Sequence, residues 1–172
     1  MVRALFPGTF DPIHYGHMDI AERASRLFDE VVMAVYDKPL KSLMFSPEER
    51  IDLVREAFKD ISKIRVTGYS GLTVEFARKI KAQVIVRGLR VFSDFEFEFR
   101  MALANHRLAP DIEIAALITA EEHTFLSSTT VREIAMLNGD ISSMVPPFVE
   151  KAFKDKVASH DDSNPIPNSL RD

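Results

Sequence analysis

A chain of 172 residues, 46% hydrophobic and 28% charged, has the size and composition of one globular domain with a single buried core. Its formal net charge of -4 excludes the broad positive field that binds nucleic acid regardless of sequence, so any phosphate must be held by a few placed cations and backbone N–H groups. The lack of cysteine excludes disulfides, thiolate metal sites and a cysteine nucleophile, and apolar runs too short for a signal peptide or a membrane span complete the expectation of a cytoplasmic protein with no nucleic-acid or membrane partner.

Val2 to Phe6 is an apolar run halted by Pro7-Gly8, the pattern of a buried strand entering a turn. From Gly16, the residues Ile20, Ala24, Leu27 and Phe28 recur at helical spacing. Val31 to Tyr36 reads as a second strand. Ser46-Pro47-Glu48-Glu49 then announces a helix, with Ser46 as N-cap, Pro47 in the first position and Glu49 closing a capping box. Its core face is predicted at Ile51, Val54, Ala57 and Phe58. Further strands are predicted over Ile64–Thr67, Gln83–Val86 and Ile112–Leu117, and helices over Thr73–Ile80, Phe95–Leu108, Thr130–Leu137 and Pro147 to about Ala158. Strands alternating with helices predict an α/β fold, a doubly wound parallel sheet with helices on both faces. Its ligands should bind beyond the carboxyl ends of the strands, where the strand order reverses. One domain is expected over residues 1–158, and the polar, proline-containing stretch 159–172 is expected to be a disordered tail.

Neither GxxxxGK[ST] nor GxGxxG occurs, which argues against a P-loop kinase or a standard dinucleotide dehydrogenase. Between the first strand and first helix stands Gly8-Thr9-Phe10-Asp11-Pro12-Ile13-His14-Tyr15-Gly16-His17. Gly8 would let the chain turn and let backbone approach a ligand. Gly16 and His17 fall at a helix N-terminus, where free N–H groups and the dipole favour a phosphate. His17 would then offer an imidazole N–H and Thr9 a hydroxyl. A single histidine at a helix start is more often a cap; the surrounding string in this slot favours the functional role. Lys41 is a flexible point charge, and Arg87 and Arg90 are planar multi-donor groups suited to phosphate. Ser127, Ser128, Thr129 and Thr130 open a helix where hydroxyls and N–H groups can converge, with Thr130 and Glu133 also forming a capping box. Glu96 and Glu98 alternate with Phe95, Phe97 and Phe99, which reads as an exposed or subunit-packing helix face rather than a catalytic carboxylate pair. His106 and His123 read as structural or peripheral.

The string GTFDPIHYGH resembles the signature of the nucleotidylyltransferase superfamily, and the chain is most similar to its bacterial phosphopantetheine adenylyltransferase family. Lys41 ahead of Met44-Phe45, the segment Arg87-Gly88-Leu89-Arg90 leading to Asp94-Phe95-Glu96-Phe97-Glu98, and Leu126-Ser127-Ser128-Thr129-Thr130-Val131-Arg132-Glu133 extend the resemblance over about residues 2–158. Leu126, Phe97 and the loop Gly71-Leu72-Thr73 depart from the usual pattern. The resemblance implies a Rossmann-like fold and direct in-line transfer of adenylyl from ATP to 4'-phosphopantetheine, giving dephospho-coenzyme A and pyrophosphate. It implies His17, Thr9 and Lys41 as catalytic residues. ATP would be bound by Thr9, Phe10 (through its backbone N–H), His17, Arg90, Glu98, Ser127, Ser128 and Thr129, and the acceptor by Thr9, Lys41, Thr73, Arg87 and Asn105. Mg²⁺ would arrive with ATP, without a protein carboxylate cage, and the assembly would be a homohexamer. The alternatives are a nicotinamide mononucleotide adenylyltransferase, a cytidylyltransferase for a small phosphorylated alcohol, and a non-catalytic nucleotide-binding module.

Overall fold

The N-terminal apolar run becomes the central strand of a parallel sheet in the computed structural model, which describes residues 1–37 and 43–161. The strands are β1 (Arg3–Gly8), β2 (Glu30–Tyr36), β3 (Ile64–Tyr69), β4 (Val84–Leu89) and β5 (Glu113–Ile118), in the order β3-β2-β1-β4-β5. The helices are α1 (Tyr15–Leu27), α2 (Pro47–Phe58), α3 (Thr73–Lys79), α4 (Phe92–Leu108), α5 (Ser128–Met136) and α6 (Pro147–Asp161). Side chains of β1 and β2 alternate between two cores, as strand geometry requires. Ala4, Phe6, Val31, Met33 and Val35 join α1, α2, α5 and α6 on one side, while Leu5, Val32 and Ala34 join α3 on the other. Both faces are covered, so these strands read as continuous apolar runs.

Several boundaries depart from the sequence reading, each for a backbone reason. Pro7-Gly8 does not stop β1, because Pro7 and Gly8 pair with Ala34 and Val35. The proline sits where β1 has left β4, whose pairing with β1 involves only Ala4 and Leu5. β4 runs to Leu89 rather than Val86, held by β5 as far as Ile118, so Arg87 lies in the strand. α5 begins at Ser128 because Ser127 is its cap and accepts from Thr130 N at 3.0 Å. Thr130 therefore occupies the capped position, and the box predicted with Glu133 does not form. The capping box at Ser46 and Glu49 does form. Leu27, expected on the core face of α1, is exposed, and Ala21 is buried instead. α6 is helical through Asp161; the remainder of the expected tail, 162–172, and the predicted site residue Lys41 lie outside the described residues. Among the described residues no helix is long and apolar enough to cross a membrane.

Candidate active site

Where β1 and β4 part, their carboxyl ends open into a cavity of about 1070 Å³. The strand order reverses between these two strands, which is where open α/β sheets bind ligands. Thr9, Phe10, His17, Thr73, Arg87, Arg90, Glu98, Asn105, Ser127, Ser128 and Thr129 all line it. Every predicted site residue within the described chain is thus brought to one cavity.

Phe10 organises the floor. Its backbone is left-handed, with φ of 48°, and its ring is buried against Phe6 and packs nearly perpendicular to the His17 ring, 5.0 Å away between centroids. A Cβ on Gly8 would stand 2.7 Å from Phe10 Cζ. Gly8 is therefore required to admit that ring, rather than to turn the chain as the sequence suggested. The Phe10 side chain has a packing role in addition to any backbone N–H it presents.

Two histidines share the start of α1. His14, not His17, is the cap: its Nδ1 accepts from His17 N at 3.4 Å. Burial above all, with the neighbouring His17, Arg90 and His123, holds the His14 pKa well below the ordinary histidine value, so the ring stays a neutral acceptor. His17 stacks on it at 3.7 Å. Burial, then Arg90 and Arg87, pushes the His17 pKa down to about 3. As a whole the His17 side chain is only half-buried, but its Nδ1 is enclosed and has no hydrogen-bond partner among the described residues. His17 is thus a neutral imidazole in a cavity that Arg87 and Arg90 also line.

The loop between β1 and α1 is held by its carbonyls. Pro7 O accepts from Arg87 Nη1 at 3.3 Å and Thr9 O from Arg50 Nη1 at 2.7 Å. Asp11 O accepts from Arg132 Nη1, and Pro12 O from Ser128 Oγ at 2.9 Å. Donors from β4, α2 and α5 therefore fix one short segment. The fully buried Asp11 carboxylate completes the tie, accepting from Met44 N at 3.0 Å, Phe45 N at 2.9 Å and Arg132 Nη1 at 3.2 Å. Asp11, Arg50 and Arg132 were not assigned roles from the sequence. Arg50 had one visible signal: it shares the i, i+4, i+8 stripe of Val54 and Phe58, the buried face of α2.

The cations of the cavity are anchored as well. Arg87 Nε donates to Glu98 Oε2 at 2.7 Å, and its Nη2 reaches Glu98 Oε1. This corrects the reading of Glu96 and Glu98 as one exposed face: Glu96 pairs with the exposed Arg100, while Glu98 turns inward to Arg87. Glu98 was expected against ATP, and its partner is the arginine expected at the acceptor. Arg90 is gripped by Asp94 through Nε at 2.9 Å and Nη2 at 3.1 Å, and also donates to Leu126 O. Its position ties β4 to the segment that starts α5. Among the described residues no group of three or more His, Asp or Glu stands in metal-ligand geometry.

The family described as Cytidylyltransferase-like matches residues 5–134. A phosphopantetheine adenylyltransferase of Roseiflexus sp. (strain RS-1) is 52% identical over 154 residues, covering 90% of this chain and 96% of that protein. Its counterpart from Herpetosiphon aurantiacus is 48% identical over 163 residues, covering 95% and 99%. A solved structure from Vibrio parahaemolyticus, assigned as a nicotinate-nucleotide adenylyltransferase, superposes with a TM-score of 0.69 over 90% of this chain and 99% of that one. At 24% identity that likeness speaks to the fold alone.

Proposed function

The chain belongs to the cytidylyltransferase-like family and, within it, to the phosphopantetheine adenylyltransferases, and on that footing we propose that it transfers the adenylyl group of ATP to 4'-phosphopantetheine. The products are dephospho-coenzyme A and pyrophosphate. The observation that carries the choice of acceptor is the 52% identity to a phosphopantetheine adenylyltransferase across nearly the whole chain.

The chemistry needs no general base, because a phosphate monoester is already a nucleophile near neutral pH. An oxygen of the acceptor phosphate attacks the α-phosphorus of ATP in line. The bond from that phosphorus to the oxygen leading to the β-phosphate breaks, and pyrophosphate leaves with the electron pair. The protein's contribution is positioning and charge stabilisation. His17 and Thr9 serve the oxygens of the transferring phosphate, His17 as a neutral N–H donor in keeping with its lowered pKa. Lys41 bridges acceptor and α-phosphate. Arg87 holds the acceptor phosphate, and Glu98 acts by orienting the Arg87 fork. Arg90 with Ser127, Ser128, Thr129 and the start of α5 receives the β- and γ-phosphates, while Phe10 adds a backbone N–H. Thr73 and Asn105 meet the acceptor arm. Mg²⁺ would arrive with ATP, held by its phosphates and by water, and would supply neutralisation of phosphate charge; among the described residues no group of three or more His, Asp or Glu could hold it instead.

A homo-oligomer, hexameric by resemblance, is supported by α4, none of whose residues is buried although it carries Phe92, Phe95, Phe97, Phe99 and Leu103. The substrates belong to the cytoplasm, where we place the enzyme. The test is pyrophosphate release from Mg-ATP with 4'-phosphopantetheine and nicotinamide mononucleotide offered side by side. Release with phosphopantetheine, with dephospho-coenzyme A formed, is the expected result. Release with nicotinamide mononucleotide alone would reassign the acceptor.

A further inference from the structure

The apolar side chains lining the cavity include Leu72 and Val74 at the start of α3, next to β3, and Met101 and Leu108 on α4. Polar groups there come from Thr73 with Tyr69, and from Asn105 across the cavity on α4. Tyr69 ends β3 and Thr73 begins α3. β3 lies three strands out from β4, which carries Arg87, so Tyr69 and Thr73 stand roughly 14 Å from the phosphate end at a spacing of ~4.8 Å per strand. An acceptor arm that starts at Arg87 and runs along the strand ends would pass them some distance from its phosphate.

The Tyr69 hydroxyl lies 3.0 Å from Thr73 Oγ1. Its ring is fixed by Tyr36 at 5.1 Å and by stacking on Phe76 at 4.9 Å. A phenol is a stronger acid than an aliphatic alcohol, so Tyr69 is the natural donor of the pair. Burial raises its pKa above the ordinary tyrosine value, and the proton stays on at working pH. With the phenol as donor of this pair, the Thr73 hydroxyl accepts and its own proton is left for a group in the cavity.

We propose that Tyr69 is a positioning residue for acceptor recognition: by donating to Thr73 Oγ1 it commits the Thr73 hydroxyl to donate to an amide carbonyl of the acceptor arm. A hydroxyl free to rotate could present either a proton or a lone pair, and the arm's amides offer both characters. The Tyr69 bond selects the donor and so selects a carbonyl. The inference rests on phosphopantetheine as acceptor, whose arm contains the amides.

Steady-state kinetics of four variants test it. Tyr69→Phe removes only the hydroxyl and should raise KM for phosphopantetheine about three- to tenfold, leaving kcat and the KM for ATP within twofold. Thr73→Val should raise the same KM at least as much, whereas Thr73→Ser, which retains the hydroxyl, should stay near the parent. The double variant Tyr69→Phe with Thr73→Val should match Thr73→Val alone, because Tyr69 acts only through that oxygen. An unchanged acceptor KM in Tyr69→Phe overturns the proposal. So does a double variant whose effect is the product of the two single effects, since packing would then be the cause. If the parent protein itself forms no dephospho-coenzyme A, the acceptor reading fails first, a result visible before any variant is compared.

Discussion

His17 is held by two rings and by its place in the first turn of α1, and its Nδ1 has no hydrogen-bond partner among the described residues. It stacks on His14 at 3.7 Å and packs nearly perpendicular to Phe10 at 5.0 Å between centroids. Those contacts fix the ring without occupying it, as a group must be fixed if it is to act on charge that develops only in the transition state. His17→Ala should therefore lower kcat by about 10²–10³-fold while KM for ATP changes only a few-fold, the pattern of a lost transition-state donor. Single-turnover and steady-state assays at saturating substrates would check it; a kcat within threefold of the parent removes His17 from the chemistry. At this scale the sequence was legible where one short string carried the site: Gly8, Thr9, Phe10 and His17 were found together because they are neighbours in the chain. Asp11 stood in the same string and its task was still hidden, because its partners Phe45 and Arg132 are 34 and 121 residues away.

Elements meet at Arg50. From α2 its guanidinium donates to Thr9 O at 2.7 Å after β1, to Tyr36 O at 2.7 Å at the end of β2, and to Phe45 O at 3.2 Å before its own helix. Arg50 is 1% exposed, so its removal would leave one buried and two part-buried carbonyls under-satisfied. Arg50→Met fills similar volume without the donors and should cost about 3 kcal/mol or more of stability, read from the midpoint of urea unfolding. A loss under 1 kcal/mol would mean that water or another side chain replaces the guanidinium. Strand and helix alternation was readable from apolar periodicity, and the Ser46 cap from the Ser-Pro-Glu-Glu string that the capping box uses. The boundaries that moved did so where a distant backbone decides them: β4 continues past Val86 because β5 keeps pairing with it, and α5 starts early because Ser127 supplies the cap.

For the whole molecule the telling element is α4, which serves two surfaces at once. Glu98, Met101 and Asn105 face the cavity, while Phe92, Phe95 and Phe99 form a stacked stripe with centroid separations of 6.3 and 5.9 Å. Their exposures of 84%, 50% and 53% amount to roughly 300–400 Å² of aromatic surface, given ~200 Å² per ring. That is about half of the ~800 Å² each partner contributes to a stable interface, so the stripe is a centre that the exposed Leu103, one turn beyond Phe99, would extend. Composition could not reveal this, because the apolar content that would fill an ordinary core is here split between a core and a face. In the proposed homo-oligomer a second copy of the chain would cover this surface. Replacing Phe95 and Phe99 together by glutamate should leave the protomer folded, since neither ring is buried within it, yet shift sedimentation to a smaller species. Because the same helix carries Asn105, the acceptor KM should rise alongside while the ATP KM holds. A parent protein that already sediments as a monomer at micromolar concentration, or a variant that sediments with the parent, would refute an interface on this helix.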